Sequence, residues 1–544
     1  MSKSTFFGGK IIKEPGAYSQ IKSGIKNPPL NLPYGNICII DTGSNAAFGG
    51  GAGISGELAT MKESIYNFDN IDDFRSFVKG GLHWLLAEPL FKPNGLASPG
   101  VSKITYVRAA TTACAEISYT FTGGGANGGE FVIKVKDEGL IGNGSATSSI
   151  LRKGYAAKMT AGIKDTAKFK IDFYVGTYRG LDPENDPYEA TQADSLPTLI
   201  ARSVEFNNIS TLITWMTNDS TFNSYFKLDS SSVAGTGAVN SADLAANVSQ
   251  VLATGGTETY NSSDLDLVLD AIKEEYYTFI LADQWAANAQ SAANTKILAH
   301  LVNEAKFTKF MVVGGGDDKD AFTGTNSSTD TAAYYNSEKV VVVHAGIKQA
   351  IRTGSGFKDR PSIYKAAQVL GRIAGLAPQV PGTFKAIQMD GDRHIMTQKE
   401  REAALDSGVL HTTFDADFGA FIINQDINSL QTNDNIVNDN GTSYSVSLNR
   451  IIAQINAEIV INAKKQLLGQ ENGVNRNTLT EQDVIAWLQG FLSLRVATNQ
   501  ADNLILRFEN ITVKTVQDSY EVSYGIVPNF AINKLFFTGF VLEN

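Results

Sequence analysis

Three short apolar runs, at 278–283, 309–314 and 339–344, follow one another with a helical or loop-like stretch between each pair. They are rich in Val, Ile and Phe and carry no polar alternation, the pattern of strands buried on both faces. Neighbouring parallel strands need a long crossover, usually a helix, so this rhythm predicts a mostly parallel sheet covered by helices. Earlier strand-like runs at 36–41 and 104–109 fit the same sheet. Between them Phe74, Phe77, Val78, Leu82, Leu85 and Leu86 fall on one helical face, behind Asp69 or Asn70 as cap and ahead of Pro89 and Pro93. The expectation is one central α/β domain built from 29–110 and 190–350.

Between 111 and 189 the pattern changes to short alternating segments punctuated by Gly123-Gly-Gly125 and Gly142-Asn-Gly144, with strands clearest at 130–136 and 167–175. That reads as an inserted β-rich domain. Beyond it, Leu196, Leu199, Ile200 and Val204 predict a helix. Leu265, Val268, Leu269 and Ile272, behind Ser263, predict another. The Ser-, Thr-, Gly- and Asn-rich stretch 218–259 reads as surface excursions. The segment 351–528 reads as a C-terminal α+β domain. It has a helix striped by Ile451, Ile452, Ile455 and Ile459, and a second bearing Val484, Ile485, Leu488, Phe491 and Leu492 behind Thr480 as N-cap. Strand-like runs follow at 503–508, 511–516, 520–527 and 534–542. Residues 1–28 and 529–544 read as extended terminal arms, the first with a β-compatible piece at 17–21.

The bulk numbers suit an assembly protein. A chain of 544 residues makes three or four domains at roughly 100–200 residues each. Charged residues are 19%, below the usual share of about 25%, and the net charge of −10 argues against nucleic-acid binding through a basic surface. The exception is residues 1–28, where five lysines face only Glu14, for a net +4. Cys38 and Cys114 make no disulfide framework, and a reducing compartment is expected. The first ten residues lack an apolar leader core, and no apolar run reaches the 18 or so residues of a membrane span, so no membrane insertion is expected.

Catalytic patterns are absent. Val312-Val-Gly-Gly-Gly-Asp-Asp318 is the best ligand-site candidate, since ligands of open α/β sheets bind beyond the strands' carboxyl ends and His344 ends the next strand. Yet no G-x-G-x-x-G opens a helix there, and Asp317, Asp318 and Asp320 oppose a phosphate. Neither a P-loop nor a G-x-S-x-G elbow occurs. The histidines, His83, His300, His344, His394 and His411, are scattered without zinc-ligand spacing. The stretch 433–440 lacks the order of a calcium loop. No catalytic, cofactor-binding or metal-binding residue is assigned, and no enzymatic role or cofactor is expected.

A family resemblance rests on segments of this sequence in a fixed order. They are Glu14-Pro-Gly-Ala-Tyr18; Asp137-Glu-Gly-Leu-Ile-Gly-Asn143; Gly371-Arg-Ile-Ala-Gly-Leu-Ala-Pro-Gln-Val-Pro-Gly-Thr-Phe-Lys385 with Ala404-Leu-Asp-Ser-Gly-Val-Leu410 and Gly419-Ala-Phe-Ile-Ile-Asn-Gln-Asp-Ile-Asn-Ser-Leu430; and the closing step Val527-Pro528 before the apolar 535–542. Together they resemble contractile tail sheath proteins of phages and related injection systems. The resemblance implies a virion structural subunit, assembled in the host bacterial cytoplasm. Stacked hexameric rings would form a helical sleeve around a tail tube and contract without nucleotide hydrolysis, with baseplate and tail terminator proteins as further partners. It implies a C-terminal domain against the tube, and arms donated as strands to neighbouring copies. Tyr18, Ile21, Phe530, Ile532, Leu535 and Phe537 are then the expected arm contacts, and 397–406 with Lys464 and Lys465 the candidates for tube contact. One departure stands out: Asn424-Gln-Asp-Ile-Asn428 replaces the Trp-Gly-x-Arg-Thr-like stretch of many members. Two other classes stay open, an α/β enzyme with an unrecognised site and a static shell or tube protein.

Overall fold

The computed structural model describes residues 5–7, 10–12, 33–41, 65–78, 81–95, 100–121, 129–138, 142–147, 150–176, 197–235, 237–239, 243, 250–260, 262–282, 290–305, 307–315, 322–350, 356–431, 443–468, 479–496, 504–517 and 519–529. The chain divides into two compact units. One comprises Tyr34–Leu376 and Gly382–Val446, the other Met1–Pro33, Ala377–Pro381 and Ser447–Asn544.

The larger unit is organised on a seven-stranded sheet. Its order is Val409–Leu410, Val340–His344, Phe310–Gly315, Phe279–Leu281, Asn36–Asp41, Lys103–Arg108 and Tyr66–Phe68. All pairings are parallel except the last, so the mostly parallel sheet expected from the apolar runs is present. The central strands are buried along their whole length, as a sheet covered on both faces requires. On one face Cys38, Ile280, Met311, Val313 and Val342 share a core with the helices Ser262–Ile272, Ala292–Asn303 and Ser328–Tyr335. The helix Ser362–Gly375, buried almost all round, packs on the strands Phe279–Leu281, Phe310–Gly315 and Val340–His344 and against the helix Gly81–Phe91. Gly371 is what allows that crossing: a Cβ there would lie 2.5 Å from the carbonyl oxygen of Leu90 and 2.6 Å from that of Pro89.

The single helix expected over 74–86 is two, Ile71–Val78 and Gly81–Phe91. Asn70 caps the first, its side chain accepting from the Asp73 N–H at 2.8 Å. Pro89 lies inside the second rather than after it, in its last turn.

The β-rich region is larger than the composition shift suggests. Two four-stranded antiparallel sheets share one core. One runs Thr198–Arg202, Phe169–Val175, Tyr155–Ala161, Val251–Leu252; the other runs Phe226–Ala234, Gly129–Glu138, Ala110–Phe121, Thr257–Tyr260. The helix expected from Leu196, Leu199, Ile200 and Val204 is therefore a strand. Leu199 and Val204 face solvent, and Asp172 grips Arg202 through two contacts of 2.6 and 3.0 Å across the pairing. So few apolar positions fit either period, and pairing with Phe169–Val175 decides between them. Likewise 218–259 holds real strands. Phe226 is fully buried and anchors one, while its Ser- and Asp-rich continuation is partly solvated, so composition concealed it.

The two halves of the 371–430 signature are stitched together. Ile387 and Ala386 pair with Phe421 and Ile422, and Phe384, at φ 59°, donates its N–H to the Ile423 carbonyl at 2.8 Å. Asp426 accepts from the Gly382 N–H at 3.1 Å and donates its own N–H to Thr383 Oγ1 at 3.1 Å. A turn-fixing carboxylate thus occupies the stretch where this sequence departs from the family pattern.

Candidate functional site

The smaller unit holds the expected helices Val446–Ala463 and Glu481–Ser493 and the hairpin Ile505–Val516 with Ser519–Pro528. Thr480 caps the second helix as expected, in a reciprocal capping box with Asp483. The runs at 503–508 and 511–516 are one strand, bulged where Asn510 takes φ 54°. Ile451, Ile455, Trp487, Leu488, Phe491 and Ile505 form the core. Beside it, buried Glu458 accepts from Arg495 Nε at 2.8 Å and from Gln454 Nε2 at 2.7 Å.

Two features of this unit are unfinished. Among the described residues the hairpin is a two-stranded sheet: Ile505–Val516 is bridged at Ile505 to Val496 and its Thr515 N–H donates to Glu481 Oε1 at 3.0 Å, while no further described strand pairs with Ser519–Pro528. Alongside Ser519–Pro528 runs a groove of about 700 Å³ between the hairpin and both helices, lined by Val460, Leu467, Leu468, Val484, Tyr520 and Val522. Leu468 is 64% exposed, Val460 49% and Val522 40%. The Tyr520 and Tyr524 hydroxyls donate to the Leu479 carbonyl (2.8 Å) and Asn456 Oδ1 (2.6 Å), residues that also line the groove. The groove is therefore an apolar surface beside the Ser519–Pro528 strand.

The expected arm contacts Tyr18, Ile21, Phe530, Ile532, Leu535 and Phe537 lie outside the described residues, as do the 17–21 piece and the 433–440 loop. Near the N-terminus Thr5–Phe7 pairs antiparallel with Lys10–Ile12. The tube-contact candidates fall in different units. Thr397 caps the helix Gln398–Asp406 in the larger one, and Lys464 and Lys465 open a π-helical turn in the smaller.

Of the Gly-rich candidate only Val312–Gly315, the end of a sheet strand, is among the described residues. Gly315 pairs with His344 in the parallel ladder, and a Cβ on it would lie 2.7 Å from Val342 Cγ1 and 2.9 Å from Ser328 Oγ. That glycine admits the Ser328–Tyr335 helix to the sheet; residues 316–321 lie outside the described residues. His344 does lie on the same edge, and here reading histidines by spacing missed a cluster. Ser328 Oγ is 2.7 Å from His344 Nδ1, and His344 Nε2 is 2.9 Å from His394 Nδ1. His411 follows the strand Val409–Leu410, which pairs with Val340–His344. Burial pushes His344 well below the ordinary imidazole range, helped by Lys365, His394 and His411, and holds His411 down at about 4. Only the common strand-end position of His344 and His411 could have signalled this. Among the described residues no group of three His, Cys, Asp or Glu is arranged to hold a metal. No helix there is long and apolar enough to cross a membrane.

The fold therefore belongs to a class with a doubly covered parallel sheet, a two-sheet β insertion and a separate helix–hairpin unit. No family model matches the chain. In sequence it is similar to the tail sheath protein of Bacillus phage SP01, with 21% identity over 443 residues, 70% of this chain and 72% of that one. In structure it is similar to a sheath tail protein from Listeria innocua (TM-score 0.50, 18% identity) and one from Desulfitobacterium hafniense (TM-score 0.53, 15% identity). Each likeness covers 94% of this chain and 99% of the other. The resemblance to tail sheath proteins read from the sequence thus holds in both a sequence relative and the fold.

Proposed function

We propose that this chain is a structural subunit of a contractile tail sheath, polymerising as stacked hexameric rings around a tail tube and contracting from a metastable extended state to drive that tube through a host envelope. The observation that carries this reading is the unfinished helix–hairpin unit: an open strand edge over an apolar slot, in a chain whose residues 530–542 hold Phe530, Ile532, Leu535, Phe536, Phe537, Phe540, Val541 and Leu542. Such a segment left uncovered is an aggregation hazard, and so is the edge. Strand donation between copies removes both. The sequence likeness to a phage tail sheath protein supports the same reading.

On this reading Phe530, Ile532, Leu535 and Phe537 pair beside Ser519–Pro528 of a neighbour, and Tyr18 and Ile21 serve the N-terminal arm likewise. The partners are further copies, the tail tube, and baseplate and tail terminator proteins. The C-terminal part faces the tube, the site of action is the virion tail after assembly in the host cytoplasm, and no catalysis, cofactor, nucleic acid or membrane insertion is involved. Each ladder hydrogen bond contributes about 0.5–1.5 kcal/mol net, modest for one arm but continuous when repeated around every ring. Removal of residues 1–24 should leave a soluble chain with near-unchanged thermal unfolding that forms no sleeves in negative-stain images. Ile21→Pro should weaken assembly more than Lys22→Ala. A truncated chain that unfolds at much lower temperature as a monomer would make the arm an intramolecular strand.

A further inference from the structure

The chain of contacts through His344 has no part in strand donation, and its hydrogen count is unusual. Ser328 stands in the first turn of its helix, His344 ends a sheet strand, and His394 lies on the segment leading into the helix Gln398–Asp406. His394 Nε2 in turn faces Glu400 Oε1 at 3.7 Å, while Glu400 Oε2 accepts from the Thr397 N–H and hydroxyl, both at 2.8 Å. One carboxylate therefore serves both the outer ring and the helix start.

Each contact in this chain needs one hydrogen. With both rings neutral, Ser328 O–H donates to His344 Nδ1 and His344 Nε2–H donates to His394 Nδ1, which leaves His394 Nε2–H directed at Glu400. A first proton is accommodated by reversal. His394 carries it beside Glu400, donates Nδ1–H inward, and His344 switches tautomer to donate Nδ1–H to Ser328. A second proton has no such arrangement, because two N–H groups would meet at 2.9 Å with no lone pair between them. We propose that Ser328, His344 and His394 form an acid-operated latch that keeps every contact with one proton and releases the 391–397 segment from the sheet edge with two.

The surroundings offer the second charge no relief. From the Ser362–Gly375 helix Lys365 faces the site with its Nζ on Asp392 Oδ1, so that carboxylate is already engaged, and Thr412 Oγ1 lies 3.3 Å from Asp392 Oδ2. His411 approaches from beyond the Val409–Leu410 strand with Arg401 acting on it, and the Phe322 ring stands edge-on to His344 at 5.5 Å. Burial and these neighbouring positive groups hold His344 neutral in the closed state. The latch does not depend on the sheath reading.

Hydrogen exchange of the full chain, corrected for intrinsic rates and read in peptides spanning 322–335 and 391–406, tests this between pH 7 and pH 4.5. The wild type should show a local opening constant that rises below about pH 6 by about tenfold per pH unit for each proton taken up. His344→Gln, which has nothing to protonate there, should lose one such factor of ten per unit. His394→Gln should move the rise to lower pH, since a carboxamide oxygen can accept from a charged His344. Should His344→Gln fail to fold, His394→Gln decides. A pH profile in either folded variant identical to the wild type overturns the latch.

Discussion

The seven-stranded sheet and the C-terminal hairpin solve the same problem in opposite ways. In the sheet, Asn36–Asp41, Phe310–Gly315 and Val340–His344 are buried throughout, with helices from the same chain on both faces. Parallel strands are stable only when so covered, and the chain supplies the whole cover itself. Among the described residues the hairpin has two strands, with largely exposed or half-buried side chains, and an apolar groove beside Ser519–Pro528. An isolated two-stranded sheet is marginal, and here two helices support only part of it. One region is covered by its own helices; the other leaves an apolar groove beside a two-stranded hairpin among the described residues.

That contrast can be broken by mutation. Glu458→Ala should cost about 3–5 kcal/mol, because Arg495 is then buried without its carboxylate. The loss should appear in exchange protection of Val446–Ala463 and Glu481–Ser493 and spare the large sheet. Equal loss in both would show that the two regions do not behave independently. Ile280→Ala, in the middle of the sheet, should cost about 2–5 kcal/mol by denaturant unfolding and spare the hairpin unit.

Acid should separate them as well, since all five histidines lie in the larger unit. His411 titrates at about 4 when folded against 6.5 when unfolded, so the unfolded chain binds the extra proton between those values. Stability of the larger unit should accordingly fall as pH drops from about 6.5 toward 4, by about 1–3 kcal/mol from this group, and His411→Gln should remove that part. The smaller unit should not follow over that range. The smallest effect on the monomer is expected at the slot. Leu468→Ser should change unfolding by no more than about 0.5 kcal/mol while abolishing sleeves in negative stain. A large loss of monomer stability would mean that the slot is core.

What the sequence revealed follows the same division. The runs at 278–283, 309–314 and 339–344 declared the parallel sheet because strands buried on both faces cannot hide their composition. Thr480 and the Val484–Leu492 stripe declared the second C-terminal helix because cap and period coincide. The strand at Thr198–Arg202 was misread because apolar residues are few there and Leu199 and the nearby Val204 face solvent. The strands within 218–259 were missed because their partly exposed positions are Ser, Thr and Asp. Gly371 was visible as a motif position, but its reason, backbone carbonyls at 2.5 and 2.6 Å from a separate helix, is a long-range contact. The pairing of His344 with His394, fifty residues apart, is hidden for the same cause. The slot was not legible either, since Leu468, Val460 and Val522 carry ordinary apolar identities at exposed places.

The proposal that residues of another copy fill that slot is open to test by inter-copy cross-linking. Two full-length chains, each with Cys114→Ser, would carry Val460→Cys and Phe537→Cys respectively, with buried Cys38 left in place. Mixed, assembled and oxidised, they should give a disulfide-linked pair of chains that neither gives alone. A mixture that assembles without that product, with the link forming within one chain when both cysteines are placed together, would contradict donation and make the segment part of its own unit.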